Sequence, residues 1–461
     1  MEIMEKAKRE ALIEKQRNYF FQGNTLSVEF RRKQLITLKQ ALCIFEPRIM
    51  QALKLDLGKT VFESYETELS MVLSEINFAL SHLKKWTKKK PVKTPMVHFP
   101  SKSAVYQEPL GVALILSPWN YPLQLALAPL VSCIAAGNCA VLRPSHSASH
   151  TAKLIEEMIS VYFAPEYIAV VNGETKISKE LLKLRFDYIF FTGSPAVGKT
   201  VMEAAAKNLT PVTLELGGKC PCIVDHTANI EVAARRIVWG KFLNAGQTCV
   251  APDYVLADQR IAERLIERMM QYIAAFYGIK PLESKDLPQI INEKHFNRLC
   301  GLLEGENIRC GGAFDPNMRR IEPTILTDVR EDSALMQEEI FGPLLPVLTY
   351  EKMEEVIAFV KKREKPLALY LFTNSKKNEK KIIRNISFGG GCINDTIVHL
   401  ANPHLSFGGV GQSGMGSYHG KKGFESFSHE KSILKKNSRV DIPLRYPPYL
   451  GKLKLLRFLL K

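Results

Sequence analysis

The chain has little that would carry it into or across a membrane. No apolar run approaches the roughly 20 residues that a bilayer-spanning helix needs. The longest such run, Leu123 to Ala136, contains Pro129 and is followed by Gly137. The amino terminus, Met-Glu-Ile-Met-Glu-Lys, mixes charges and lacks the apolar centre of a secretion signal. Both absences point to the cytoplasm. Paired cysteines are also missing. Cysteines stand at 43, 133, 139, 220, 222, 249, 300, 310 and 392, an odd number at irregular spacing. Cys220-Pro-Cys222 is too tight for CxxC, and no histidine cluster joins it, so neither a disulfide framework nor a metal site is expected. Thiols kept reduced in a cytosol fit better.

Acidic charge is in short supply. Against 63 basic residues there are 47 acidic ones, a net charge of +16. Nucleic acid, an anionic membrane surface or an anionic cofactor could each answer that charge. The excess is spread along the chain, with denser runs at Lys84–Lys90, Lys361–Arg363 and Lys376–Lys381. No zinc finger, aromatic RNA-binding signature or basic zipper accompanies these runs, so they read as solvated surface and no nucleic-acid partner is expected.

What is present is a soluble globular composition, 46% hydrophobic and 24% charged. At 461 residues the chain exceeds one ordinary core, and two or three domains are expected. Residues 1 to about 86 read as helices, with apolar residues at helical spacing in Phe30 to Leu42 and Leu69 to Leu83. The proline-rich basic stretch 88–100 cannot be helix and reads as an extended arm. From Gly111, apolar strands alternate with helices: Val112–Leu116, then Leu123–Ala136, then Cys139–Leu142, then Ala148–Val161, and so on to Cys222–Val224. Continuous apolar strands in such an alternation imply a parallel sheet covered on both faces, an α/β fold. Beyond Phe388 the glycines at 389–391, 408–411, 414 and 416 predict tight turns.

Two stretches carry chemistry. Asn244-Ala-Gly-Gln-Thr-Cys-Val-Ala-Pro-Asp253 puts Cys249 after a helix-like run, Ile230 to Leu243, and a break at Gly246. A lone cysteine is ordinarily a small buried apolar residue. The second stretch, Val212-Thr-Leu-Glu-Leu-Gly-Gly-Lys219, sets Glu215 in an otherwise apolar strand. A carboxylate buried there without a partner costs several kcal/mol or takes a raised pKa. A raised pKa suits a general base, and a thiol beside it can serve as a nucleophile.

A third stretch points elsewhere. Gly193-Ser-Pro-Ala-Val-Gly-Lys-Thr200 matches the GxxxxGK[ST] phosphate loop between a strand and a helix. With Asp225 as the metal-binding aspartate, it would make the chain a nucleotide triphosphatase. Pro195 removes one amide from a loop whose role is to offer amides, and that reading leaves Glu215 and Cys249 unused.

The Glu215 and Cys249 stretches together resemble the active-site signatures of the aldehyde dehydrogenases. Gly246-Gln-Thr-Cys-Val-Ala-Pro-Asp-Tyr254 has the class 3 form. The resemblance runs through Ser117-Pro-Trp-Asn-Tyr-Pro122, Phe190-Phe-Thr-Gly-Ser194, Gln337-Glu-Glu-Ile-Phe-Gly-Pro343 and Lys365-Pro-Leu-Ala-Leu-Tyr370. It continues in Phe407-Gly-Gly-Val-Gly411 and Gly414-Met-Gly-Ser-Tyr-His-Gly420. Bacterial carotenoid- and fatty-aldehyde dehydrogenases look similar.

The resemblance implies NAD- or NADP-dependent oxidation of aldehydes to acids. Cys249 would be the nucleophile and Glu215 the base that activates water for thioester hydrolysis. Asn120 and the Cys249 N–H would form the oxyanion hole. Cofactor contacts would fall to Trp119, Arg143, His146, Thr192, Gly193, Ser194, Val197, Gly198, Leu216, Glu339 and Phe341. Tyr121, Gln124, Leu125, Trp239, Thr248 and Ile397 match the aldehyde channel, where medium or long aliphatic or aromatic aldehydes would fit; ordinary core packing is their alternative. A Rossmann-like cofactor domain would span 1–87 and 109–216, and a catalytic α/β domain 217–405. A small β bridging element, 88–108 and 406–445, would make a homodimer.

Two positions depart from the family pattern. Arg143-Pro-Ser-His146 stands where Lys-Pro-Ser-Glu is usual, so the carboxylate that would repel a 2′-phosphate is absent and NADP should be accepted as readily as NAD. Cys220 replaces a common serine and reads as a packing change. Finally, 446–461 forms a basic amphipathic tail. Leu453, Leu455, Leu456, Phe458, Leu459 and Leu460 share one arc, and Lys454, Arg457 and Lys461 the other. Such a tail can touch an anionic membrane, or dock on the protein itself.

Overall fold

A computed structural model describes residues 5–441 and 443–459. Two large, mostly parallel sheets, a three-stranded antiparallel sheet and a two-stranded antiparallel ribbon, Phe314–Asp315 with Arg320–Ile321, organise them. The first sheet has six strands in the order Gly414–Met415, Val212–Leu216, Tyr188–Gly193, Val112–Leu116, Cys139–Arg143, Ile168–Val170. All pair in parallel except the two-residue Gly414–Met415, which returns from late in the chain to lie antiparallel on Val212–Leu216. Every residue of Val112–Leu116 and Cys139–Arg143 is buried, which explains their unbroken apolar sequence.

The helix Gln124–Ala136 is buried at every position. It lies between the sheet and the helices Val28–Leu57, Ser70–Trp86 and Gly420–Ser426. Each leucine in it contributes about 1.5–3 kcal/mol by leaving water. Gly137, at φ 94°, ends the helix, its N–H shared between the Cys133 and Ile134 carbonyls.

The second sheet has seven strands, in the order Asn307–Cys310, Thr324–Thr327, Leu344–Tyr350, Tyr254–Asp258, Pro221–Val224, Ala368–Phe372, Gly390–Ile393. Only the Asn307–Cys310 edge is antiparallel. The helices Ile230–Phe242 and Ala262–Tyr277 pack together beside it. The basic run at 376–381 falls in a helix, Lys376–Asn385, anchored by buried Ile382.

The arm forms the third sheet, Lys90–Val92, Ser101–Pro109 and Ser428–Lys436, with Ser428 opposite Pro109 and Lys436 opposite Ser101. It is largely exposed. The tail forms a short helix, Leu453–Leu459, and its described apolar side chains, Leu453, Leu455, Leu456 and Phe458, face solvent rather than dock on the protein's own surface. Leu460 and Lys461 lie outside the described residues, as does the side chain of Leu459.

Candidate active site

The phosphate-loop motif forms no loop. The strand Tyr188–Gly193 passes through Ser194 alone into the helix Pro195–Ala206, so Lys199 and Thr200 sit on helical turns. Asp225 belongs to the other sheet, where Thr227, Thr373 and Asn378 saturate its carboxylate. The triphosphatase reading is corrected on both counts.

The strand ends instead assemble a different site. Thr192 and Glu215 are register partners near the carboxyl ends of neighbouring strands. Ser117 to Asn120 follow the next strand, Val112–Leu116. Ligands bind outside the carboxyl ends of strands in such sheets. Asn229 caps the helix Ile230–Phe242, its side chain accepting from the Val232 amide at 3.2 Å. Beyond that helix three consecutive residues take left-handed backbone: Asn244 at φ 53°, Ala245 at 51° and Gly246 at 74°. A Cβ on Gly246 would lie 2.2 Å from the Gly342 carbonyl, so only glycine lets the cysteine loop close onto the Phe341–Pro343 turn.

Two cavities meet at Cys249. One, of about 280 Å³, is lined by Trp119, Asn120, Leu125, Thr192, Gly193, Ser194, Glu215, Leu216, Cys249, Glu339 and Phe341. It also includes His295, Arg298 and Glu338, which the sequence reading did not single out. The other, of about 200 Å³, is lined by Tyr121, Gln124, Leu125, Trp239, Thr248, Cys249 and Ile397. Leu243, Val250, Leu400 and Phe407 make it mainly apolar, with Glu66 and His419 also on its wall. Of the expected contacts, Arg143, His146, Val197 and Gly198 line neither cavity.

Missed residues explain part of the first cavity's shape. Trp119 stands between the His295 ring, 4.9 Å away, and the Phe341 ring, 5.4 Å away. Arg298 bonds Glu338 at 2.8 Å. His295 and Arg298 share one face of the helix Glu293–Gly301, a spacing with no distinguishing mark among many amphipathic helices.

The electrostatics is that of buried acids. Both oxygens of Glu215 lack a hydrogen-bond partner, and burial pushes its carboxyl well above the ordinary range. Burial, with Glu339 and Glu215 nearby, pushes the Cys249 thiol up to about 12, opposed by the Cys249 and Val250 amides. Burial, with Asp253 nearby, pushes Glu339 up to about 8. Glu339 sits against Gly217, where a Cβ would lie 2.1 Å from its carboxylate. Asn120 Nδ2 donates to the Gln247 carbonyl at 3.0 Å, two residues before the thiol, and keeps its second proton. Tyr121 and Thr248 share a 2.6 Å hydroxyl bond across the apolar cavity. Cys220, fully buried, donates to the Cys249 carbonyl at 3.4 Å and accepts from the Ala368 amide at 3.3 Å, which is a packing role.

The groups around the first cavity suit the phosphates and hydroxyls of a dinucleotide. Ser194 begins its helix with no side-chain cap, which leaves the Ala196 and Val197 amides open beside Gly193. Thr192 Oγ1, Ser117 Oγ and Arg143 Nε are buried without partners. Arg143 Nη2 is held by the carbonyls of Gly173 and Glu174, at 2.9 and 3.0 Å. Among the described residues no cluster of three or more metal-ligating side chains occurs.

Paired α/β lobes with an apolar cavity and a second cavity beside a helix start, both at strand ends, define a dinucleotide-dependent oxidoreductase. The chain belongs to the aldehyde dehydrogenase family, whose model matches residues 2–433. It is 49% identical over 445 residues to 4,4'-diaponeurosporen-aldehyde dehydrogenase of Staphylococcus aureus, covering 96% of this chain and 97% of that one. It is 46% identical to the rat protein named aldehyde dehydrogenase, dimeric NADP-preferring, over 96% of this chain and 98% of that one. The solved substrate-bound state of Staphylococcus aureus AldH superposes with a TM-score of 0.97 at 47% identity, covering 100% of both chains. The protein oxidises aldehydes to carboxylic acids with NAD or NADP.

Proposed function

We propose that Cys249 is the nucleophile, Glu215 the base and Asn120 the oxyanion donor for medium or long aliphatic or aromatic aldehydes. The observation that carries this is the position of Cys249 on the wall common to both cavities. The thiol gives its proton to solvent water, and its sulfur adds to the aldehyde carbonyl carbon. Asn120 Nδ2 and the Cys249 amide receive the resulting oxyanion. NAD or NADP would supply the hydride acceptor there, and loss of hydride from the thiohemiacetal would leave a thioester on Cys249. Glu215, in its ionised form, then takes a proton from water, the hydroxide adds to the thioester, and the acid departs as the thiolate is expelled.

The first unit, 1–87 with 109–216, holds the cofactor in this reading, and 217–405 supplies the thiol. Thr192 to Ser194, Leu216 and the helix start at Val197 and Gly198 receive the phosphates and neighbouring ribose. Trp119, Glu339 and Phe341 border the nicotinamide end, and Arg143 and His146 the adenosine end. Cys249→Ala should abolish turnover, and Glu215→Gln should leave a burst of reduced cofactor but stall steady turnover. Wild-type steady turnover in either variant overturns the assignment.

The reading extends to assembly and location. A homodimer forms through the arm, 88–108 with 406–445. Tyr106, Ile433 and Leu434 stay exposed there beside a free strand edge, and the rat relative's name includes the word dimeric. All nine cysteines are free, which suits the reducing cytoplasm. Peripheral membrane contact through the tail draws support from its exposed apolar arc and adjacent basic residues. Among the described residues no helix is long and apolar enough to cross a membrane.

A further inference from the structure

The stretch Lys59 to Glu68 contributes no group to the reaction above, yet it carries an unusual load of buried charge. Lys59 and Glu68 have wholly buried side chains and lie 2.7 Å apart. Glu63, also buried, is on the same turn. A buried ion pair is weak evidence for stability, because desolvation offsets most of its attraction. Its partners show what it holds. Glu68 Oε2 accepts from the amides of Leu123 and Gln124, both at 3.0 Å. These begin the helix Gln124–Ala136, whose own first residue offers no capping side chain. Lys59 Nζ approaches the Asn120 carbonyl at 3.4 Å and lies 4.1 Å from the centre of the Tyr121 ring. The other side of the turn holds the cysteine loop. Glu63 Oε1 accepts from the Asn244 amide at 2.9 Å. Asn244 Nδ2 in turn bonds the Asn120 carbonyl at 2.8 Å and the Gln247 carbonyl at 3.2 Å.

The local backbone serves this arrangement. Tyr65–Leu69 is a π-helical turn between α-helical segments. Such a turn adds a residue to the helical repeat and is commonly found at functional sites. Here it points Glu68 inward while Glu66 and Thr67 border the apolar cavity.

We propose that Lys59 and Glu68 are positioning residues that fix Asn120 where an oxyanion develops. The pair acts through the Asn120–Gln124 backbone and touches neither aldehyde nor cofactor. This rests on the assignment of Asn120 made above.

The test is a set of kinetic cycles. Lys59→Met/Glu68→Gln removes both charges together and keeps an acceptor for the two amides. Glu68→Gln alone is the second variant. Each should fold; the double variant should melt near the parent, and Glu68→Gln alone, which leaves Lys59 buried without its charge partner, should melt lower. Each should lower kcat about tenfold or more while changing aldehyde KM and cofactor affinity by less than about threefold. Aldehyde oxidation and the hydrolysis of a nitrophenyl ester should fall together, since both pass through a tetrahedral oxyanion. In an Asn120→Ala background the same changes should lower kcat no further, because the coupled contacts are already lost. A folded variant with parental kcat overturns the proposal, as does an equal additional loss without Asn120. Loss of fold in both variants makes the pair structural and also overturns it. If Asn120→Ala itself keeps parental kcat, it is the assignment of Asn120 that fails.

Discussion

Lys219 reaches from the glycine turn after the Glu215 strand to the carboxylate of Asp253, four residues beyond Cys249. The same ammonium bonds the carbonyls of Leu335 and Glu338, at 2.6 and 2.9 Å. Asp253 Oδ1 accepts from the Ile340 amide at 3.0 Å. Two side chains thus tie together the turn after the base, the nucleophile's loop and the segment that carries Glu339 and Phe341.

Lys219→Met would leave Asp253 buried with a single amide partner. Breaking such a pair costs about 3–5 kcal/mol. A lower melting temperature is expected, and a cofactor KM that rises more than kcat falls, because the Glu339 segment loses both of its carbonyl bonds to Lys219. Thermal melts and cofactor titration measure the two effects. An unchanged cofactor KM would show that the segment is held by other contacts.

The buried Glu215 makes stability depend on pH in a definite direction. The folded carboxyl keeps its proton well above 4.5, its ordinary value, while the unfolded one ionises there. The folded state therefore binds more protons over that interval, and this residue's contribution to stability falls as pH rises above 4.5. In Glu215→Gln that contribution is absent. The melting-temperature difference, variant minus parent, should grow in favour of the variant between about pH 5.5 and 8.5. A constant difference across that range would mean that Glu215 gains a partner in solution.

Cofactor choice tests the Arg143-Pro-Ser-His146 turn. His146 is exposed, and burial of its ring edge with Arg143 nearby lowers its pKa, which favours the neutral ring. A glutamate there would face a 2′-phosphate with like charge, about 1–4 kcal/mol before screening. His146→Glu should reduce kcat/KM for NADP at least about fivefold relative to NAD, less so at high salt. Equal ratios in both proteins would remove residue 146 from the ribose site.

Glu66 puts a carboxylate on a channel that is otherwise mostly apolar. Burial raises its pKa, with no cationic group among the causes. Semialdehydes with a distal carboxylate should be poor substrates beside neutral aldehydes of equal length. Glu66→Gln should improve the former selectively, by about two- to tenfold, the effect of one screened charge. A parallel change for both substrates would place the residue outside the substrate's path.

The tail can be tested with anionic vesicles. Each basic residue near such a surface adds about 1 kcal/mol, so binding should be weak and lost at high salt. The full chain should co-sediment at low salt more than a chain ending at Tyr449. Equal sedimentation of the two would assign the exposed helix Leu453–Leu459 another role.

The sequence alone determined the buried strands of the first sheet and pointed to Glu215 and Cys249. Strands such as Val112–Leu116 and Cys139–Arg143 are buried on both faces, so their character is written in consecutive residues. Glu215 among β-formers, and Cys249 beyond a left-handed turn, stand out because local burial and local backbone conflict with residue type. Other features were decided only by the tertiary structure. Asn307–Cys310 and Thr324–Thr327 are short, and the first is mostly exposed, so neither gives a periodic signal. The strand Gly414–Met415 joins the first sheet from about two hundred residues away, paired opposite Glu215 and Leu214. His295 and Arg298 become site residues only because their helix meets Trp119 and Glu338. The bracket of Lys59, Glu63 and Glu68 reads in sequence as ordinary helix charge. It acquires meaning when long-range folding withdraws it from water and sets it against the Asn120 and Asn244 backbones, where a buried charge must find its partners.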